Sequence, residues 1–323
     1  MTNITGVSID RWCITPFATR TRRLKDASET FLINLDILIL IFDIFFSSLG
    51  MYLLKTTRNF KRKYCLWLLY HLYLNDIIFA VTTQTLYAIK LFKPELPCIY
   101  DILWSFVTLT IANASLSLVV AVAIIRLIST KYSLHITTIL SKIKSRIILF
   151  LAYFIGFSIN ILMTVGAIIN DVYLIHLPAV LTDILFPIAI PLIYLRAVQI
   201  SRKRRESSYF KSQRSLVEAA LRRGMYATIL TYLPVRLPYF ISSTYKMVYT
   251  IEFENDSNYA LQLVHSSCFL IFCLTPVGNV VLYFMSDRRA RRRIVAYLTY
   301  YKRYINQRFR RYVNRRSVGH IVI

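Results

Sequence analysis

The sequence predicts an all-α membrane protein, a bundle of seven transmembrane helices followed by a basic amphipathic helix, and three observations predict it. Of the 323 residues 56% are hydrophobic, and they fall in long blocks instead of the mosaic of a globular domain. Few charged residues interrupt those blocks. Positive residues crowd into alternate connections between them.

The formal net charge of +24 raises the question of nucleic acid. Basic soluble domains, however, do not place repeated apolar runs of about twenty residues between their basic segments. The charge is therefore expected to face anionic lipid headgroups and a cytoplasmic partner, and no nucleic acid is expected. Five cysteines are too few and too scattered for a disulfide framework, and no pair has zinc-site spacing, so no metal and no cofactor are expected. Residues 1–30 are polar and mildly basic, with Arg11, Arg20, Arg22, Arg23 and Lys25 and no apolar core. They are expected to be neither a cleavable signal peptide nor an anchor, which leaves insertion to the first span.

A helix needs about 20 apolar residues to cross the hydrocarbon, and seven segments qualify: 31–54, 64–89, 102–127, 147–169, 177–200, 225–248 and 259–285. No internal repeat or low-complexity linker divides them. The expected organisation is an extracellular segment 1–30, one transmembrane domain 31–285 and a cytoplasmic basic tail 286–323. Orientation follows from Lys and Arg, which are retained on the cytoplasmic side of a span. The segments 55–63, 126–146, 196–224 and 287–323 hold 31 of the 40 positive residues. The N-terminus is therefore expected outside and the C-terminus in the cytoplasm, as for a multi-pass plasma-membrane protein. Two glycosylation sequons, Asn3-Ile-Thr5 and Asn255-Asp-Ser257, fall on the exterior side so assigned. A third, Asn113-Ala-Ser115, lies inside the third span and is read as chance.

Charged groups inside a bilayer are costly, so each invites a function. Asp76 lies mid-span in Leu74-Asn75-Asp76-Ile77-Ile78; a buried sodium or proton site and a hydrogen-bonded packing residue are both open readings. Asp36 and Asp43 stand seven residues apart, two helical turns, and are expected to share an inward face. Arg126 closes the third span and, taken alone, is a snorkelling anchor. Arg236, near the middle of the sixth span, cannot lose its charge and should pair inward with a carboxylate or an acidic ligand group. Pro234 and Pro238 on either side of it, and Pro187 and Pro191 in the fifth span, interrupt the backbone ladder and offer kinks or hinges. In the tail Ile294, Leu298, Tyr301, Ile305, Phe309 and Tyr312 recur at spacings of three or four, one apolar face on a basic helix that would lie along the inner membrane surface.

Together these residues resemble rhodopsin-like G-protein-coupled receptors, and are most similar to nematode serpentine receptors of the Srw (FMRFamide-receptor-like) type. Asn279-Val280-Val281-Leu282-Tyr283 resembles the family's Asn-Pro-x-x-Tyr, with valine in place of the proline. Asp76 matches the second-span aspartate. Ile125-Arg126-Leu127 matches the Asp-Arg-Tyr position, with isoleucine in place of the acid, and Ile128 to Leu134 continues the Srw likeness. Pro238 matches the sixth-span proline, and Glu218, twenty residues earlier, the glutamate that holds the arginine at rest. The sixth span lacks the usual tryptophan near its proline.

The resemblance implies a chemoreceptor or neuropeptide receptor that is not an enzyme. It would bind an extracellular peptide or small molecule and activate a heterotrimeric G protein as the sixth helix swings outward at Pro238 and frees Arg126 from Glu218. Asn279 and Tyr283 would belong to the same switch. Thr108, Arg236 and Tyr239 are the ligand-pocket candidates; with Thr108 where amine receptors carry an aspartate, and with no lysine in the seventh span, an amine and retinal are not the expected ligands. Cys98 is placed like the family's third-span cysteine, and Cys13 is the candidate partner for the disulfide the family implies. The rival reading is a transporter or channel using Asp36, Asp43, Asp76 and Arg236; a receptor-like protein that no longer signals is a third.

Overall fold

The computed structural model describes residues 26–56, 64–92, 98–132, 142–169, 177–178, 180–203, 211–253 and 259–286, with scattered residues between 292 and 307. All regular structure among the described residues is helical. In chain order it comprises α1 (Asp26–Lys55), α2 (Tyr64–Phe79), a π-helical turn (Ala80–Gln84), α3 (Thr85–Phe92), α4 (Cys98–Lys131) and α5 (Lys142–Ile169). A second π-helical turn (Leu181–Leu185) leads into α6 (Phe186–Lys203), followed by α7 (Lys211–Phe253), α8 (Tyr259–Cys273) and α9 (Thr275–Ser286). The described residues between 292 and 307 are helical as well.

The surface is inverted relative to that of a water-soluble protein. Phe31, Ile41, Phe45, Phe150, Leu192 and Leu230 are exposed, whereas Asp36, Asp43, Asp76 and Arg236 are buried. Such an arrangement is stable where the surrounding solvent is hydrocarbon. Among the described residues six stretches are long and apolar enough to cross a membrane: Thr30–Lys55, Leu66–Lys90, Leu103–Lys131, Ile143–Gly166, Leu181–Arg202 and Leu263–Val281. The sixth expected span, 225–248, is not among them. It lies within the 43-residue α7, but Arg236, two prolines and many Tyr, Ser and Thr residues dilute its apolar content.

α4 is the axis of the bundle. Residues 112–119 are buried all round, and α2, α5 and α6 pack directly against α4. α7 packs against α6, α8 and α9, while α1 joins α2 to α8 and α9, closing the ring. Where α5 crosses α4 the contact is close enough that a Cβ on Gly156 would lie 2.6 Å from the Ala114 nitrogen. Above this crossing Asn160 Nδ2 donates to the Phe106 carbonyl at 2.7 Å and to Thr110 Oγ1 at 2.6 Å.

Three irregularities interrupt the rods, two of which have proline causes, and the one at Pro187 falls where the sequence reading expected an interrupted ladder. Pro187 has no N–H to give the carbonyl of Asp183 four residues earlier, and its ring crowds that carbonyl. The ladder there widens into the second π turn, which closes with the Phe186 N–H on the Leu181 carbonyl. Pro276 likewise leaves the Phe272 carbonyl without its helical donor, and the Thr275 hydroxyl takes that place at 2.6 Å. The last rod therefore breaks at Leu274, five residues before the motif asparagine, although the motif's own proline position holds Val280. The first π turn holds no proline. Pro234 and Pro238 do not interrupt α7, which stays helical across both.

Candidate functional site

Intramembrane polar groups need partners, because the surrounding hydrocarbon offers none. In this bundle they are met by a chain of side chains crossing four helices. Asn279 Nδ2 on α9 donates to both carboxylate oxygens of Asp76 on α2, at 2.9 and 2.8 Å. Ser115 of α4 donates to Asp76 Oδ1 at 3.1 Å and accepts from Asn75 Nδ2 at 2.6 Å. Asn75 also reaches the Ile111 carbonyl at 2.9 Å. At the other end the Tyr232 hydroxyl of α7 donates to Asn279 Oδ1. Asn75, Asp76, Ser115, Asn279 and Tyr232 are all buried. Asn279 is the chief partner of Asp76, and these hydrogen bonds are compatible with both readings open for it, an ion or proton site and a packing residue. Ser115 does this work from within the sequon read as chance.

Arg236 lies one turn beyond Tyr232 on the same face of α7. It is buried, and it pairs with a carboxylate as expected: Nη1 lies 2.9 Å from Asp183 Oδ1. Nη2 donates to the Ala112 carbonyl at 2.9 Å, and the guanidinium sits 5.4 Å from the centre of the Phe272 ring. Asp183 was not singled out in the sequence, although it falls within an expected span and the rule that flagged Asp76 applies equally to it.

The next inward position of α7 is Tyr239. Its ring stacks on Phe272 at 4.8 Å and lies 5.5 Å from His265. Phe269, beneath it, meets Trp104 at 5.1 Å and Tyr87 at 4.7 Å. Thr108 is buried one turn before Ala112 on α4, and its hydroxyl has no hydrogen-bond partner. The three pocket candidates therefore lie around one region: Arg236 and Tyr239 share the Phe272 ring, and Arg236 holds the carbonyl of the turn after Thr108.

Arg126, near the far end of α4, donates to the Tyr194 hydroxyl of α6 at 3.0 Å and lies 5.7 Å from that ring. The expected partner Glu218 is on α7, but its side chain lies outside the described residues, as does that of Tyr283 on α9. Cys13, Asn3 and Asn255 also lie outside them, and Cys98 opens α4 with its side chain not described. Asp36 and Asp43 both face inward as predicted. Gln84 Nε2, from the first π turn, donates to Asp43 Oδ2 at 2.6 Å.

Tyr232 and Tyr194 were missed because tyrosine recurs throughout these spans and only spatial neighbours distinguish them, and Gln84 because the sequence reading flagged charged groups alone, although an amide in hydrocarbon also demands a partner. Compared with family models and with curated proteins, the chain matches none.

Proposed function

We propose that this chain is a seven-span cell-surface receptor of the G-protein-coupled type, with its N-terminus outside and α7 as its sixth span. In this reading it responds to an extracellular peptide or small molecule and activates a heterotrimeric G protein. The observation that carries the reading is the single inward face of α7. Tyr239 in the aromatic cluster with Phe272 and Phe269, Arg236 in the buried ion pair and Tyr232 on the Asp76–Asn279 network follow one another at helical spacing. A ligand that displaces Tyr239 or competes for the Arg236–Asp183 pair acts on the same rigid rod that holds Asn279. A rotation of α7 then alters contacts with α9, α8 and α6 together. Arg126, held to Tyr194 on α6, is the residue a G protein would meet at the inner end, with Glu218 its resting partner.

The test uses the full chain with an extracellular tag at residue 2, expressed in cells and exposed to peptide and odorant libraries. The tag should be accessible on intact cells. A G-protein response is expected for the wild type; Arg126→Ala at matched surface level should lose it while keeping ligand affinity, and Glu218→Ala should raise basal signalling. A shift of about 1.4 kcal/mol in the resting-to-active equilibrium is tenfold, so the loss of even a partly exposed pair is measurable. Normal signalling by Arg126→Ala would reduce the arginine to an anchor. A current or uptake independent of G protein would favour the transporter reading.

A further inference from the structure

The outer ends of α1 and α8 meet over a cavity of about 340 Å³, lined by Ser28, Phe31 and Leu32 of α1 and by Leu263 and Ser267 of α8. Its volume is near the lower end for small-molecule sites, and apart from the two serines its walls are apolar. Ser28 and Leu32 stand four residues apart on one face of α1, and the next position in that row is Asp36. Opposite, Cys273 lies further in along α8, near enough to Asp36 to interact with its charge. The seam that opens outward as the cavity therefore closes inward on a carboxyl group. Asp36 is 1% exposed. No described residue hydrogen-bonds to it or forms an ion pair with it, and its Oδ1 is buried without a partner.

Hydrocarbon penalises a lone charge, so with the cavity empty a proton neutralises Asp36. That proton can be passed on. When an amine base enters, the O–H bond of Asp36 breaks and an N–H bond forms on the amine nitrogen. An ammonium–carboxylate pair then replaces two neutral groups, and no net charge is added to the membrane. Asp36 lies about 6 Å of helical rise inward of Leu32, so the nitrogen must hang on a short chain from an apolar body held between Phe31, Leu32 and Leu263. The neighbours of Asp36 suit an organic cation better than a metal ion. Tyr87, also within range of its charge, packs its ring on Phe269 at 4.7 Å, and Cys273 offers a thiol. Aromatic faces attract an ammonium, whereas hard metal ions call for a set of oxygens. Thr108 leaves an amine without a counter-ion on α4; Asp36 supplies one on α1. We propose that Asp36 and the cavity between α1 and α8 form a binding site for a small lipophilic amine, with Asp36 as its counter-ion.

The site stands apart from the receptor reading and is tested without it. Thermal unfolding of the purified full chain in nanodiscs would be followed with 2-phenylethylamine and with 2-phenylethanol, which has the same body and chain but no basic nitrogen. The wild-type midpoint should rise saturably with the amine, as for any ligand that binds the folded state alone, and not with the alcohol. Asp36→Asn keeps the shape but removes the charge, and should move the amine titration to more than about tenfold higher concentration. Ser267→Phe fills the cavity while leaving Asp36 in place, and should shift the titration in the same direction. An amine without effect on the wild type would overturn the site, whatever the chain does in signalling assays. So would an alcohol that raises the midpoint as far as the amine does, or an amine response that survives Asp36→Asn unshifted. If Asp36→Asn gives no folded protein, the Ser267→Phe titration decides, and an unshifted curve overturns the site.

Discussion

Asp183→Ala is expected to destabilise the folded chain by about 3–5 kcal/mol, because it leaves the Arg236 guanidinium buried with no counter-charge. Arg236 cannot escape by losing its proton. Its remaining contacts, the Ala112 carbonyl and the Phe272 ring, supply partial charge only. The reciprocal change, Arg236→Met, strands a carboxylate, but a carboxylate can take up a proton and so should be less damaging. The double variant Asp183→Leu with Arg236→Met replaces a buried pair by apolar groups and should recover most of the stability lost in Asp183→Ala, since such replacements are often neutral. Thermal midpoints of the detergent-purified variants, with surface expression in parallel, test this order. A double variant no more stable than Asp183→Ala would mean that the pair holds α6 to α7 in some way beyond charge compensation.

The second large effect is expected at Gly156. A Cβ built there would lie 2.6 and 2.8 Å from the nitrogen and Cα of Ala114 and 3.0 Å from the Asn113 carbonyl carbon. These are backbone atoms of the central helix and cannot rotate away, so α5 must move off α4. That movement stretches the Asn160 bonds to Phe106 and Thr110 and disturbs the turn that presents Ser115 to Asp76. Gly156→Ala should therefore cost about 1–3 kcal/mol, in the range of core overpacking, and Gly156→Leu more. Gly50→Ala is the internal control. Its Cβ would meet Tyr73 ring atoms at 2.7–3.0 Å, a similar crowding, but against a side chain that can tilt. Its thermal midpoint should fall less than that of Gly156→Ala; equal losses would show that the α4–α5 crossing yields as readily as a ring.

The sequence was legible wherever hydrocarbon alone dictates the answer. Apolar run length specified the described rods at 31–54, 64–89, 102–127 and 147–169 to within a few residues, and the inward face of Asp36 and Asp43 followed from their spacing. It also required that Arg236 have an acidic partner. The sixth span was less legible to a hydropathy rule, because the residues that give α7 its interior role, Tyr232, Arg236 and Tyr239, are the ones that lower its apolar content. The prolines announced irregular backbone but not its form. Pro187 produced a π turn ahead of itself and Pro276 a break, while Pro234 and Pro238 left α7 continuous. Which outcome follows depends on whether a neighbouring hydroxyl or a shifted carbonyl takes up the freed backbone group.

What the sequence determined by itself is the class of molecule: helices of membrane length, the basic sides of the connections and the positions of charges that must turn inward. Those follow from one-dimensional quantities, the length of an apolar run and the cost of a charge in hydrocarbon. What only the tertiary structure decided is who meets whom. Asp183 rather than Asp76 receives Arg236, Asn279 rather than an arginine receives Asp76, Tyr194 receives Arg126, and Gln84 receives half of Asp43. Those pairings join residues 41 to 203 positions apart, and no local pattern encodes them. They are set when the close crossing of α4 and α5 and the irregular turns before α3 and α6 fix the rotation of each rod about its own axis.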